Sequence, residues 1–138
     1  MKKALKSTAL IILSIVFILC LASCNEPEVE KKGLWENATY TADTVVGNGE
    51  KEVKIDIVAG EQTVTLTVKT DKSTLGEALY EQGLINDPSF FDTLNGMKAD
   101  WNKDQVYWKF CKGDETMMVG VNDIEISGGE HYKFVYSK

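Results

Sequence analysis

The sequence predicts an α+β fold in which one helix packs across a mixed β-sheet. Three observations support this. Residues 53–57 and 63–68 alternate between apolar and polar side chains, residues 74–83 carry the end signals and apolar spacing of a helix, and strand-like alternation returns after Pro88. The order is therefore two strands, one helix and several further strands.

The first two strands are predicted from a period of two. In VKIDI, residues 53–57, every second side chain is apolar, and TVTLTV, residues 63–68, repeats the pattern. Residues 59–62 supply a hairpin connection between them. An earlier β-prone stretch, residues 39–46, ends at the turn signal GNG, residues 47–49.

The helix is predicted from its two ends and its apolar face. Thr74 and Glu77 fit a capping box, and Gly83 stands where a glycine commonly ends a helix. Gly76 lies inside the helix, where it costs about 1 kcal/mol relative to alanine. We expect close approach of the helix to the sheet to explain that glycine. The apolar face consists of Leu75, Ala78 and Leu79.

The later strands begin after Pro88. Asn95-Gly96, between FDTL and MKAD, is a strong signal for a two-residue hairpin. VYWKF, residues 106–110, points Trp108 to one face of the sheet and Tyr107 to the other. MMVGV at 117–121, IEIS at 124–127 and HYKFVY at 131–136 are predicted as the remaining strands.

The N-terminus has the features of a secretory signal. Three lysines precede an uncharged run of 14 residues, 9–22, which is short of the roughly 20 that span a bilayer as a helix. Leu21-Ala22-Ser23-Cys24 resembles a bacterial lipobox. That resemblance implies cleavage before Cys24 and attachment of acyl chains such as palmitate to its thiol, and about two chains give stable anchoring. An ordinary signal peptide or a membrane-anchoring helix is the alternative.

These features divide the chain into a signal peptide at 1–23, a lipidated cysteine with a flexible tether at 24–34, and a folded domain at 35–138. Removing 23 residues from 138 leaves 115, which suits one domain, and removing three lysines changes the net charge from −6 to −9. The chain has no arginine. An acidic surface of this kind disfavours nucleic acid and anionic lipid as partners. We therefore expect an extracytoplasmic protein held at the bacterial cell membrane by its lipid alone.

Four sequence motifs between residues 74 and 136 occur in the same order in one known family. TLGEALYEQGLI, LNGMKAD, YWKFCKG and VGVNDIEISGGEHYKFVY resemble the transcobalamin-like C-terminal domain family, over residues 53–136. These small domains occur in bacterial surface lipoproteins and as the β-domain of animal transcobalamin and intrinsic factor. The resemblance implies a β-grasp-like fold. In the animal carriers the domain covers one face of the corrin ring, and the helical barrel that covers the other face is missing here.

Catalytic and metal chemistry find little support. His131 is the only histidine and falls on the strand face opposite the aromatic side chains, and Cys111 has no histidine partner visible in the sequence and is expected to be buried. We expect no enzyme activity. Asp100, Asn102 and Asp104 match the start of a calcium loop, but the sixth and twelfth positions lack the required glycine and glutamate. A solvated hairpin loop is expected there, and no metal.

The aromatic residues are the candidate ligand contacts. Tyr107 and Trp108 are adjacent on one strand, so one of them is expected in the core and the other on a surface that needs another cover. We predict a small-molecule binding module that requires no cofactor, with a corrinoid as the candidate ligand. The alternative is a cell-surface module that binds a transporter or another partner protein through the same patch. The predicted contacts are Trp101, Tyr107, Trp108, Met117 and Met118.

Overall fold

A computed structural model describes residues 33–138 of the chain. The fold lies in the unit Asn37–Lys138. The predicted signal peptide, the lipid attachment at Cys24 and most of the tether lie outside the described residues. Within residues 33–138, no helix is both long and apolar enough to cross a membrane.

This unit is built on a mixed six-stranded sheet made of β1 Thr44–Gly47, β2 Lys51–Ala59, β3 Gln62–Thr70, β6 Tyr107–Lys112, β7 Glu115–Thr116 and β8 His131–Ser137. The strand order across the sheet is β1-β3-β2-β8-β6-β7. Strands β1 and β3 run parallel, as do β2 and β8, and the other neighbours are antiparallel. The predicted α+β class, with a helix packed on a mixed sheet, is confirmed.

The core lies on one face of this sheet. Alternate residues of β2 and β3 are almost inaccessible to solvent, as the period of two predicts. On the β8 side the core is aromatic: the ring of Phe134 stacks on Phe110 with centroids 5.0 Å apart and meets Phe91 edge to face at 5.7 Å. These ring contacts join β6 and β8 to the loop that follows the helix.

The helix α1, Leu75–Glu81, begins and ends where the sequence predicts. The Thr74 hydroxyl accepts a hydrogen bond from the Glu77 backbone N–H at 3.3 Å, and Gly83 has a φ of 68° just beyond the last turn. The expected reason for Gly76 is wrong. A β-carbon there would lie 2.3 Å from the side-chain oxygen of Asn122, so the close neighbour is the 3-10 turn Val121–Asp123 and not the sheet.

The predicted hairpin forms at Asn95-Gly96, between β4, Thr93–Leu94, and β5, Met97–Lys98. Asn95 is completely buried, and its side chain accepts from the Tyr40 N–H and donates to the Tyr40 carbonyl, both at 2.9 Å. Its backbone carbonyl accepts from the Thr39 N–H. The hairpin therefore holds the chain segment that leads into β1.

Three predicted strands are shorter than expected or absent. The β-prone stretch 39–46 forms a strand only from Thr44, and β7 ends at Thr116, before MMVGV. Residues 124–127 make a single bridge, Glu125 with Thr74, instead of a strand. The backbone of this last segment bonds to the start of the helix, because Ile124 accepts from Leu75 and Ile126 donates to Ser73.

Candidate functional site

Strand β6 separates the two neighbouring aromatics as predicted. Trp108 is 9% exposed and faces the core, where its ring meets Tyr136 edge to face at 5.3 Å. Its indole Nε1 donates to the backbone carbonyl of Met97 at 3.2 Å, so β6 is fastened to β5. Tyr107 points to the opposite face and is 43% exposed. Trp108 is thus the core member of the pair.

A short helix, α2 at Trp101–Asp104, brings a second aromatic to Tyr107. Asp100 caps this helix by accepting a hydrogen bond from the Lys103 N–H at 3.1 Å. Gln105 ends it with a left-handed φ of 55°. Trp101 is 59% exposed, and its ring meets Tyr107 at 6.2 Å between centroids with 72° between their planes. The loop expected at 100–104 is therefore a helical turn.

These residues line a groove of about 770 Å³ beside β6. One side is α2, the other is the loop after Pro88, and the buried side chains of Val106 and Trp108 form part of its base. The volume lies within the range of about 300–1,000 Å³ that is typical of small-molecule sites. The complete lining is Phe90, Phe91, Asp92, Lys98, Ala99, Asp100, Trp101, Asn102, Lys103, Val106, Tyr107 and Trp108.

The groove carries charges of both signs. Lys98 pairs with Asp92 at 3.9 Å between Nζ and Oδ2, and both side chains are partly exposed. Asp100 and Asp104 impose a negative potential on the neighbouring Tyr136: burial and then these two carboxylates raise the pKa of its phenol above the usual 10.0. The part of the groove lined by Trp101 and Tyr107 therefore lies near two carboxylates, those of Asp100 and Asp104.

The two methionines predicted as ligand contacts do not line this groove. Met117 is half-buried and its N–H donates to the Phe110 carbonyl at 2.9 Å, whereas Met118 is 92% exposed. Both methionines follow β7, and the Met117 hydrogen bond to Phe110 is where this segment separates from β6.

The other reactive side chains lie elsewhere. Cys111 is buried, as predicted. His131 is exposed on its strand and forms an ion-pair contact with Asp56 of β2, with 2.9 Å between Nε2 and Oδ2. Across residues 33–138, no three histidine, cysteine or acidic side chains lie close enough to hold a metal ion.

Phe90, Asp92 and Lys98 are groove residues that the sequence reasoning missed. Phe90 is 83% exposed and lies on the loop after Pro88, whose position depends on Phe91 inserting against Phe134 in the core. In the sequence, these residues are indicated only by the Phe90-Phe91 pair between turn residues. That pair does not show which strand the two rings contact.

Comparison with known proteins supports the fold. No family model matches the chain, and no curated protein does. Among solved structures, a candidate metal-binding protein from Ruminococcus gnavus ATCC 29149 superposes with a TM-score of 0.58 and 24% identity, over 64% of this chain and 98% of that chain. Haptocorrin in its complex with Cbi matches with a TM-score of 0.44 and 18% identity, over 67% of this chain and 27% of that chain. The chain therefore spans about a quarter of the haptocorrin structure.

Proposed function

We propose that this protein is a lipid-anchored, extracytoplasmic binding module that holds a small molecule in the groove beside β6 and catalyses no reaction. The observation that carries the proposal is the pair Trp101 and Tyr107, two large rings in contact with each other and still 59% and 43% exposed along one groove. Exposed aromatic surface gathered in a concave site is typical of ligand contacts.

The groove suits a ligand with one flat face. Because Trp101, Tyr107 and Phe90 all remain largely exposed, a bound molecule would be covered on one side and open on the other. Because the planes of Trp101 and Tyr107 meet at 72°, one ring can lie flat against a planar ligand while the other meets its edge and the rim charges contact its polar periphery.

A corrinoid is the candidate ligand, by the sequence resemblance to the transcobalamin-like domain family. The groove lining contains no histidine or cysteine, so contact would be made with the ring and its periphery and not with the cobalt ion. The open groove would cover only one face of the corrin ring, so only that face would lose water. We therefore expect the chain alone to bind a corrinoid weakly.

Tryptophan fluorescence tests the proposal. The purified full chain, held in a detergent with a sugar headgroup, is titrated with cobinamide and with cobalamin. We expect saturable quenching in the wild type and a clearly smaller amplitude in Trp101→Phe, which keeps a ring but removes the exposed indole and leaves only the buried Trp108 as a reporter in the groove. Equal quenching in the two proteins would reflect light absorption by the corrinoid and would contradict binding in the groove.

A second candidate function, binding of a partner protein, has its own observation. Met118 and Val119 are 92% and 47% exposed outside the groove, on the segment that leaves the sheet edge at Phe110. Exposed methionine suits adaptable apolar contacts. Photo-crosslinking from position 118 in intact cells separates the candidates: a discrete adduct that Val119→Lys abolishes supports the protein partner, and its absence favours the small molecule.

A further inference from the structure

The two exposed rings of the groove form a corner. The planes of Trp101 and Tyr107 meet at 72°, with 6.2 Å between their centroids, and each ring keeps about half of its surface open to solvent. Phe90, 83% exposed, lines the same groove and offers a third ring face. Ring faces are negative and ring edges are positive, so the ring faces that stay exposed in the groove attract positive charge.

Three carboxylates and two ammonium groups lie at or beside this corner: Asp92, Asp100, Lys98 and Lys103 line the groove, and Asp104 is the last residue of α2. Lys98 is neutralised by its ion pair with Asp92. Asp100 in the lining and Asp104 outside it then leave one negative charge in excess over Lys103, whose ammonium forms no ion pair among residues 33–138. The whole chain is acidic as well, with a net charge of −6. The field at the corner therefore favours a cation.

Apolar burial alone would hold a ligand poorly here. The rings stay exposed because the groove is open, so a neutral apolar molecule would bury only part of its surface. A charged ammonium that is alkylated, and therefore weakly hydrated, gains attraction from the ring faces and from the nearby carboxylates at once.

We propose that the corner of Trp101 and Tyr107 binds an organic cation, namely an alkylated ammonium group. This inference rests on the proposed small-molecule function and names the ligand class that the groove prefers. Asp100 and the neighbouring Asp104 supply the counter-charge, Phe90 lines the loop side of the same groove, and Lys103 opposes the ligand and limits its affinity.

Choline and its neutral carbon isostere, in which a tert-butyl group replaces trimethylammonium, form a matched pair of probes. Binding to the full chain in a sugar-headgroup detergent is followed by ligand-observed saturation-transfer NMR, with protein-free micelles as the blank. We expect choline to bind about tenfold more tightly than the isostere, the difference that a desolvated cation–ring contact supplies. Equal affinities, or no transfer to choline, would overturn the proposal.

Side-chain variants locate the site independently of overall folding. Tyr107→Leu and Trp101→Leu should abolish transfer to choline, whereas Tyr107→Phe keeps the ring and should retain it. Lys103→Gln should tighten choline binding and Asp100→Asn should weaken it, because asparagine caps a helix about as well as aspartate does. The opposite order for the two charge variants would show that the cation does not lie at this corner.

The cation preference and the corrinoid proposal fail separately. Quenching by cobinamide without a choline preference would keep the small-molecule function and remove the cation class. A choline preference without corrinoid quenching would support the cation and remove the corrinoid.

Discussion

Trp101 meets Tyr107 edge to face, with ring centroids 6.2 Å apart, although neither residue belongs to the core. The contact joins the short helix α2 to the first residue of β6. Ring pairs of this geometry contribute about 0.5–1.5 kcal/mol beyond their buried area. Here that contribution fixes the position of two exposed rings and adds little to the stability of the core.

Trp101 and Trp108 should therefore respond differently to the same substitution. Trp108→Leu removes a buried ring and leaves the Met97 carbonyl without the indole donor, so we expect a loss of about 3–5 kcal/mol in the free energy of unfolding. Trp101→Leu should change stability by no more than about 0.5–1.5 kcal/mol. Urea unfolding followed by circular dichroism measures both, and a large loss for Trp101→Leu alone would contradict its assignment to the surface.

Asn95→Ala removes both hydrogen bonds between the buried amide and the backbone of Tyr40. Because the Tyr40 N–H and carbonyl would lose their partners in a part-buried place, we expect a loss of about 1–3 kcal/mol in the free energy of unfolding. Hydrogen exchange should become faster at Thr39 and Tyr40. Asn48→Ala, at an exposed asparagine, is the control and should have little effect.

Comparing Gly96→Ala with Gly113→Ala separates the cost of a steric clash at the new β-carbon from the cost of a positive φ. Both glycines have positive φ, 81° and 61°, so each substitution costs roughly 1–2 kcal/mol from conformation. At position 96 the new β-carbon would also lie 2.1 Å from the Asn37 carbonyl oxygen, whereas at position 113 it meets nothing within 4 Å. We expect a clearly larger loss of stability for Gly96→Ala, and equal losses would mean that residue 37 does not lie against the hairpin.

Glu130 should make stability depend on pH. Burial pushes the pKa of its carboxyl upward, but hydrogen bonds from backbone N–H groups, including those of Ser127 and Gly128 at 2.8 and 2.6 Å, and the charge of Lys112 hold the pKa below the ordinary 4.5. The folded-state pKa is depressed, so this contribution to stability is fully present above the unfolded pKa and is lost as pH falls through the folded one.

The test for Glu130 compares the wild type with Glu130→Gln across pH. The wild type should be the more stable near neutral pH, and the difference should shrink as the solution is acidified below about 4.5. A difference that stays constant to low pH would show that the ionised carboxylate is not what holds the turn.

Much of the fold follows from local sequence signals. Alternation defines β2 and β3, the Thr74 cap and Gly83 define the ends of α1, and Asn95-Gly96 defines the hairpin. Each depends on residues within a few positions of one another. The insertion of β8 between β2 and β6 could not be predicted in this way, because strand order is decided by contacts between residues far apart in the chain.

The candidate site was predictable only in part, for the same reason. The split between Tyr107 and Trp108 follows from the period of a strand, but the sequence did not say which of them faces the core. The helical turn at Trp101–Asp104 was missed because four residues give too short a window for periodicity. The sequence predicts Met117 and Met118 as ligand contacts. In the structure β7 ends at Thr116, before both methionines, and neither of them lines the groove that contains Trp108.

The most direct test of the ligand site follows the indole N–H signals of the nitrogen-labelled full chain in a two-dimensional NMR spectrum. Each of the three tryptophans contributes one such signal. On addition of choline or cobinamide, the signal that is missing in Trp101→Phe should shift with saturation, while that of Trp108, bonded to the Met97 carbonyl, moves less. A Trp101 signal that stays in place at saturating amounts of both compounds would contradict a ligand site in this groove.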